Sequence, residues 1–172
     1  NPNPAMAPDV INNSWGCPTS EGCSADTLEP AVQALRSAGI EVVVSAGNYG
    51  YDGCSSVDDP PSFYRQSFTV GATTSSEIIA GYASRGPVTY GGETYVKPDI
   101  SAPGSSVRSS IPTNGYGSMS GTSMAAPHVT GLVALLISAC PSLAGMPGAL
   151  EGIIISTAIV HLDGQCGAGG PP

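Results

Sequence analysis

Ser123 lies in a stretch whose residue types suit a nucleophile, GSMSGTSMAAPHV (residues 117–129). A serine hydroxyl reacts at neutral pH only when a base takes its proton and hydrogen-bond donors hold the oxyanion that forms. Gly121 allows a tight turn into a helix, so Ser123 falls in the first helical turn. There, free N–H groups and the positive end of the helix dipole face an incoming anion. The Ser123 amide is therefore a candidate oxyanion donor.

Pro127 and the residues after it shape the helix that carries Ser123. Proline has no N–H to donate to the Ser123 carbonyl four residues earlier, so we expect a kinked first turn. Residues 123–140 are apolar on nearly every side, which predicts a helix buried in the core. A simpler interpretation is that Ser123 only caps this helix. That interpretation leaves the collinear segments described below unexplained.

The segments before this helix predict a parallel sheet. Residues 9–16 and 40–48 predict strands, and residues 24–40 predict an amphipathic helix, with Ser24 or Asp26 as its cap and Gly39 as its stop. Strand, helix and strand in this order indicate a right-handed βαβ unit, whose ligands gather beyond the C-terminal strand ends. The sequences NSWG and SAGN are therefore expected at one edge of the sheet.

The remaining segments predict one more buried strand and a last helix. Residues 67–73 predict the strand, and the long irregular stretch at 49–62 has a length typical of functional loops. A helix is predicted over about 147–159, followed by a loop or frayed end. Surface strands and turns are predicted for residues 80–88, 97–104 and 107–112.

Composition argues against several classes of partner. The net charge is −8 with five lysines and arginines, so no basic stripe favours nucleic acid. The sequence NPNPAMAPDV lacks the regions of a signal peptide, and we expect no membrane-spanning segment. The five cysteines and the acidic balance favour a secreted or extracytoplasmic protein. The length suits one domain over residues 1–172.

The pairing of the cysteines stays open at this point. Cys17 and Cys23 can close a small loop, but Cys54 or Cys166 would be equally suitable partners. The odd number leaves at least one thiol unpaired. A metal site is the weaker interpretation, because neither a CxxC pair nor a nearby histidine accompanies them.

The sequence GTSMAAPHVTG resembles the nucleophile motif of the subtilisin-like serine peptidases, the subtilases. INNSWG, VVSAGN, YASRGP and KPDISAPG resemble further segments of that family in the same order, over roughly the whole chain. The resemblance implies an α/β fold of three layers, with a parallel sheet flanked by helices and a buried helix starting at the nucleophile. Acid peptidases with a Ser-Glu-Asp set have a similar serine motif, but GTSMAAPH and SAGN fit the subtilisins better.

The resemblance also implies roles for individual residues in cleaving a polypeptide substrate. Ser123 is the expected nucleophile, and the Asn48 side-chain amide is the expected second oxyanion donor. The less favoured alternative for Asn48 is a left-handed turn residue at the end of a strand, and Trp15 is equally consistent with a core or rim tryptophan. The implied substrate-binding residues are Ser14, Trp15 and Gly16, which pair with the substrate main chain, and Ser45, Ala46 and Gly47, which form the opposite wall of the pocket for the residue before the scissile bond.

Three further residues near this expected pocket suggest ligands. The resemblance places Asp58 and Asp59 in the loop that reaches towards the pocket floor, so it implies a preference for basic substrate residues. Tyr64 and its neighbouring carbonyls resemble a weak cation site of the family, so a structural calcium ion is the one metal the resemblance suggests. No cofactor is required for the expected reaction.

The activating residues of the family are not found in this sequence. Subtilases place an Asp and then a His before the Ser, in D-[ST]-G and H-G-T-H contexts, and neither context occurs here. His128 follows Ser123 by five residues, so it points to another face and is expected to be a buried structural histidine. His161 is expected in a surface loop.

We therefore expect residues 1–172 to be the C-terminal portion of a subtilase catalytic domain, without the N-terminal part that bears the Asp and the His. Such a chain is expected to be inactive alone. Two explanations compete: the chain is a proteolytic product separated from the rest of its domain, or it associates with the missing N-terminal part as a protein partner. The alternative hypothesis is a non-catalytic subtilase-like module that binds peptides or acts as a scaffold.

Overall fold

The computed structural model describes residues 6–160 and 164–166, and His161 lies outside them. Within these ranges the chain forms eight strands and three α-helices. The strands are β1 (Val10–Asn13), β2 (Glu41–Ser45), β3 (Phe68–Thr73), β4 (Val88–Tyr90), β5 (Glu93–Tyr95), β6 (Ile100–Pro103), β7 (Val107–Ile111) and β8 (Gly115–Met119). The helices are α1 (Glu29–Ser37), α2 (Thr122–Ala139) and α3 (Pro147–Thr157).

A four-stranded parallel sheet in the order β1-β2-β3-β6 forms the centre of the fold, which confirms the predicted α/β class. All of β2 and nearly all of β3 are buried, because β-branched strands in the middle of a parallel sheet are covered on both faces. Asn13 lies opposite Val44 in the register of β1 and β2. The segments that follow these two strands therefore start side by side at one sheet edge, as predicted.

The prediction of a surface segment at residues 97–104 was wrong for β6. Ile100 and Ala102 are buried in the core, and β6 pairs with β3 as the second outer strand of the sheet. The flanking prolines suggested an exposed turn, but an outer strand tolerates proline where no partner needs its N–H. The pairs β4–β5 and β7–β8 are short antiparallel ribbons outside the central sheet.

Helix α1 is shorter than predicted. It begins at Glu29, because Ser24 and Asp26 bond to each other in a preceding turn, with Ser24 Oγ donating to Asp26 Oδ1. Its predicted stop is confirmed: Gly39 has a φ of 82°, and an added Cβ would lie 2.8 Å from the Cα of Gly145. The predicted last helix is confirmed as α3.

Helix α2 is not buried on all sides, contrary to the prediction. One face packs on the sheet through Ala125, Val129 and Val133, whereas Leu132 and Leu135 on the other face are 41% and 69% exposed. By length and composition alone α2 could cross a membrane, but here it is one layer of the packed domain. An all-apolar helix predicts burial, yet only one of its faces meets the sheet.

Two disulfides resolve the open pairing of the cysteines. Cys17 bonds to Cys23, and Cys54 bonds to Cys166 across 112 residues of sequence. Cys140 is the free thiol and is exposed. The long-range disulfide joins Cys166 to the loop after β2. Because it closes the longer loop, it reduces the conformational freedom of the unfolded chain more than the Cys17–Cys23 disulfide does.

Arg36 links α1, β2 and α3 through two carboxylates. Its Nη1 lies 2.7 Å from Glu41 Oε1 and 2.8 Å from Glu151 Oε1. The Glu41 side chain is fully buried, and its Oε2 has no hydrogen-bond partner among the described residues. The pKa of Glu41 is raised to about 8, first by burial and then by the charge of Glu151, while Arg36 opposes the shift.

This buried carboxyl makes folding stability depend on pH. A pKa raised above 4.5 in the folded state means that unfolding releases a proton, so the stabilisation is complete below pH 4.5 and is lost as pH rises through about 8. We expect Glu41→Gln to reduce the decline in unfolding free energy between pH 5 and 8, by at most about 1.4 kcal/mol per pH unit. Urea denaturation across this range tests it. Glu93→Gln, in an exposed ion pair with Arg65, is the control, and an unchanged slope in Glu41→Gln would contradict the assignment.

Candidate active site

A cleft of about 190 Å³ opens where β1 and β2 end and α2 begins. The lining residues are Trp15, Gly16, Ser45, Gly47, Asn48, Tyr49, Asp59, Ser62, Thr122 and Ser123. Of the residues implied by the sequence resemblance, Ser14 and Ala46 do not line it. Ser14 donates a hydrogen bond to the Ser123 carbonyl, and Ala46 is buried.

Reciprocal hydrogen bonds join Ser14 to Ser123. Ser14 Oγ donates to the Ser123 carbonyl at 2.9 Å, and Ser123 Oγ donates to the Ser14 carbonyl at 3.3 Å. The Ser123 carbonyl is the group that Pro127 leaves without its helical donor. The side chain of Ser14 thus replaces a missing helical hydrogen bond and holds the segment after β1 against the first turn of α2.

Thr122 fixes the orientation of the Asn48 amide. Thr122 N and Thr122 Oγ1 lie 2.9 and 3.2 Å from Asn48 Oδ1, and Gly47 N donates to Thr122 Oγ1 at 3.1 Å. Because a backbone N–H requires an acceptor, the oxygen of the amide faces Thr122 and its Nδ2 remains available as a donor. Asn48 is not among the residues with positive φ, so the interpretation as a left-handed turn residue is wrong.

Thr122 itself was missed by the sequence reasoning. It precedes Ser123 in the motif, but it can orient the Asn48 amide only because the end of β2 lies beside α2. That proximity cannot be predicted from a local sequence pattern. Its side chain is fully buried although polar, and such groups in proteins have hydrogen-bond partners.

The loop after β2 contacts residues 16 and 17 at the edge of the cleft. An added Cβ at Gly16 would lie 3.0 Å from Asp59 Cβ, so the two segments pass in close contact. Cys17 N donates to the Pro60 carbonyl at 2.8 Å and continues this contact. Trp15 is 50% exposed, which makes it a rim residue of the cleft rather than a core residue.

The surroundings of Tyr64 do not fit a cation. The Tyr64 side chain is completely buried, and its hydroxyl accepts a hydrogen bond from Leu28 N at 3.2 Å. Two nearby carbonyl oxygens already accept from hydroxyl groups, that of Phe63 from Tyr95 and that of Pro61 from Ser67. Among the described residues, no cluster of three or more His, Cys, Asp or Glu side chains could hold a metal ion.

His128 is exposed, which corrects the prediction of a buried histidine. Its Nδ1 lies 2.9 Å from the Met124 carbonyl on the previous turn. The residue falls on the side of α2 that the sheet does not cover. It does not line the cleft, so within residues 6–160 and 164–166 no histidine approaches Ser123 there.

An α/β sheet with a serine at the start of a helix, beside an oriented side-chain amide, is an arrangement that serine hydrolases use. The family model of the subtilase family matches residues 3–169. The chain therefore belongs to the subtilase family.

Relatives and solved structures agree with this assignment. Bacillopeptidase F of Bacillus subtilis (strain 168) is 42% identical over 163 residues, which cover 92% of this chain and 11% of that protein. Subtilisin E of the same strain is 39% identical over 134 residues, which cover 78% of this chain and 32% of that protein. The chain therefore spans at most a third of these two relatives.

Two solved structures share the fold. A cold adapted subtilisin-like serine proteinase superposes with a TM-score of 0.70 at 32% identity, covering 87% of this chain and 48% of that one. The prenylagaramide maturation protease PagA superposes with a TM-score of 0.72 at 24% identity, covering 90% and 53%. The second likeness concerns the fold alone.

The hydrogen bonds of Thr122 predict a cost of removing its hydroxyl. Thr122→Val keeps the shape but leaves the Gly47 N–H without its partner, so we expect a loss of about 1–3 kcal/mol in unfolding free energy, measured by urea denaturation. Thr157→Val is the matched control, because that exposed hydroxyl only bonds back within α3, and its effect should stay within about 0.5 kcal/mol. Equal effects of the two substitutions would contradict the role of Thr122.

Proposed function

We propose that this chain is the C-terminal portion of a subtilase catalytic domain and that the complete domain is a serine endopeptidase. In this proposal Ser123 Oγ attacks the scissile carbonyl carbon, and the Ser123 N–H and Asn48 Nδ2 hold the resulting oxyanion. The proton of Ser123 passes to a base and then to the leaving amine, and water hydrolyses the acyl-enzyme.

One observation carries this proposal. Asn48 and Ser123 line the same cleft, and Thr122 N donates to the oxygen of the Asn48 amide, so that Nδ2 is left as the donor of that side chain. A donor that is oriented before substrate binds requires no reorganisation during the reaction. In the same proposal, residues 14–16 pair with the substrate main chain as an added strand, and residues 45–47 provide the opposite wall of the substrate pocket.

The chain alone is proposed to be inactive. Ser123 Oγ donates to the Ser14 carbonyl, which accepts a hydrogen bond but cannot take the proton. Without a histidine and the carboxylate that orients it, a subtilase-like serine retains only weak catalysis.

The proposed protein partner is the N-terminal part of the same catalytic domain, bearing the Asp and the His. β1 is an outer strand, so its second backbone edge is available for pairing. Leu132 and Leu135 of α2 add exposed apolar surface. These features suit a segment that extends the sheet and covers α2.

A secreted or extracytoplasmic location is proposed because two disulfides persist only in oxidising compartments. The net charge of −8 gives no support to nucleic acid as a partner, and no membrane partner is proposed. The proposed reaction requires no cofactor. A structural calcium ion stays a prediction, and the residues around Tyr64 do not supply suitable ligands for it.

Labelling with a fluorophosphonate tests the proposal. We expect no reaction of the chain alone, and labelling of Ser123 once a separately produced segment with D-[ST]-G and H-G-T-H sequences is added, followed by intact mass. Ser123→Ala should abolish the labelling, whereas Ser118→Ala, at an exposed position five residues earlier, should not. Rapid labelling of the chain alone would contradict its inactivity, and failure of the folded complex to react would contradict the role of Ser123.

A further inference from the structure

The candidate cleft contains a single acidic side chain, that of Asp59. Asp59 is partly exposed, so its carboxylate reaches the space of the cleft rather than the core. An added Cβ at Gly16 would lie 3.4 Å from Asp59 Oδ2. The carboxylate is therefore next to the main chain that is proposed to bind substrate.

The backbone around Asp59 is held on both sides. Ser62 N and Ser62 Oγ donate to the Asp59 carbonyl at 2.9 and 2.6 Å. The next residue, Pro60, accepts from Cys17 N, and Cys17 is fixed by its disulfide to Cys23. A carboxylate on such a braced turn is preorganised, so little ordering is required when a ligand binds.

The charge of Asp59 acts on the aromatic ring beside it. The carboxylate of Asp59 raises the pKa of the Tyr49 hydroxyl by its charge first, and burial and a hydrogen bond between the two add to the shift. Tyr49 also lines the cleft. An aromatic face next to a carboxylate provides two favourable contacts for a cation, one with the ring and one with the charge.

The positive side chains of the protein lie elsewhere. None of the five lysines and arginines, all within the described residues, lines the cleft. Three of them pair with carboxylates and two others contact a ring or a carbonyl: Arg36 with Glu41, Arg65 with Glu93, Lys97 with Asp99, Arg108 with Tyr116 and Arg85 with the Gly50 carbonyl. With a net charge of −8, the protein attracts cationic ligands to a cleft that contains no cation of its own.

We infer that the cleft selects a lysine or arginine side chain on the substrate residue that precedes the scissile bond, by pairing its charged group with Asp59. The inference rests on the proposed function, because it takes the cleft beside Ser123 as the pocket for that residue. Asp59 then determines specificity and takes no part in bond cleavage.

Product-like peptides test the inference without requiring a catalytic base. Fluorescein-labelled Ala-Ala-Ala-Arg, Ala-Ala-Ala-citrulline and Ala-Ala-Ala-Leu, each with a free carboxylate, are titrated with the chain at pH 7, and binding is followed by anisotropy. Citrulline has the shape of arginine without its charge. We expect the arginine peptide to bind about tenfold more tightly than the citrulline peptide, and the difference to shrink at high salt.

Substitutions test whether Asp59 causes the preference for arginine over citrulline. Asp59→Asn should reduce the ratio of arginine to citrulline affinity to about one, while Asp52→Asn, exposed in the same loop and outside the cleft, should leave it unchanged. Equal binding of the two peptides to the unsubstituted chain would overturn the inference and leave the proposed function intact. Failure of all three peptides to bind the folded chain would overturn the proposal that the cleft binds peptides, and with it the inference about Asp59.

Discussion

The candidate site depends on how the first turn of α2 is held to the ends of β1 and β2. Two side-chain hydroxyls make this connection, Ser14 to the Ser123 carbonyl and Thr122 to the Asn48 amide. Each bond satisfies a polar group that would otherwise be left unpaired in a partly buried place. The same contacts place the proposed nucleophile and the proposed oxyanion donor in one cleft.

The proline inside α2 explains why one of these bonds exists. Pro127 removes a helical donor from the Ser123 carbonyl, and the vacated acceptor becomes the anchor for the segment after β1. A helix of ordinary sequence would occupy that carbonyl itself. The local defect of the helix is thus part of the connection between the sheet and the site.

The sequence predicted the parts of the fold that follow from local patterns. Buried β-branched runs identified β2 and β3, and Gly39 ended α1, whereas Ser123 and Asn48 were linked through the resemblance to the subtilases. The role of Thr122, the pairing of Cys54 with Cys166 and the membership of β6 in the sheet depend on contacts between distant segments, which spacing does not encode. The apolar composition of α2 did not reveal which of its faces is exposed, because that depends on where the sheet lies.

The central claim is that Ser123 and Asn48 together hold a tetrahedral intermediate. A crystal structure of the complemented catalytic domain with a peptide boronic acid tests it most directly. We expect a bond from boron to Ser123 Oγ, with one boronate oxygen within hydrogen-bond distance of both Asn48 Nδ2 and Ser123 N. A boronate bound to another residue, or one whose oxygens all point away from Asn48, would contradict it.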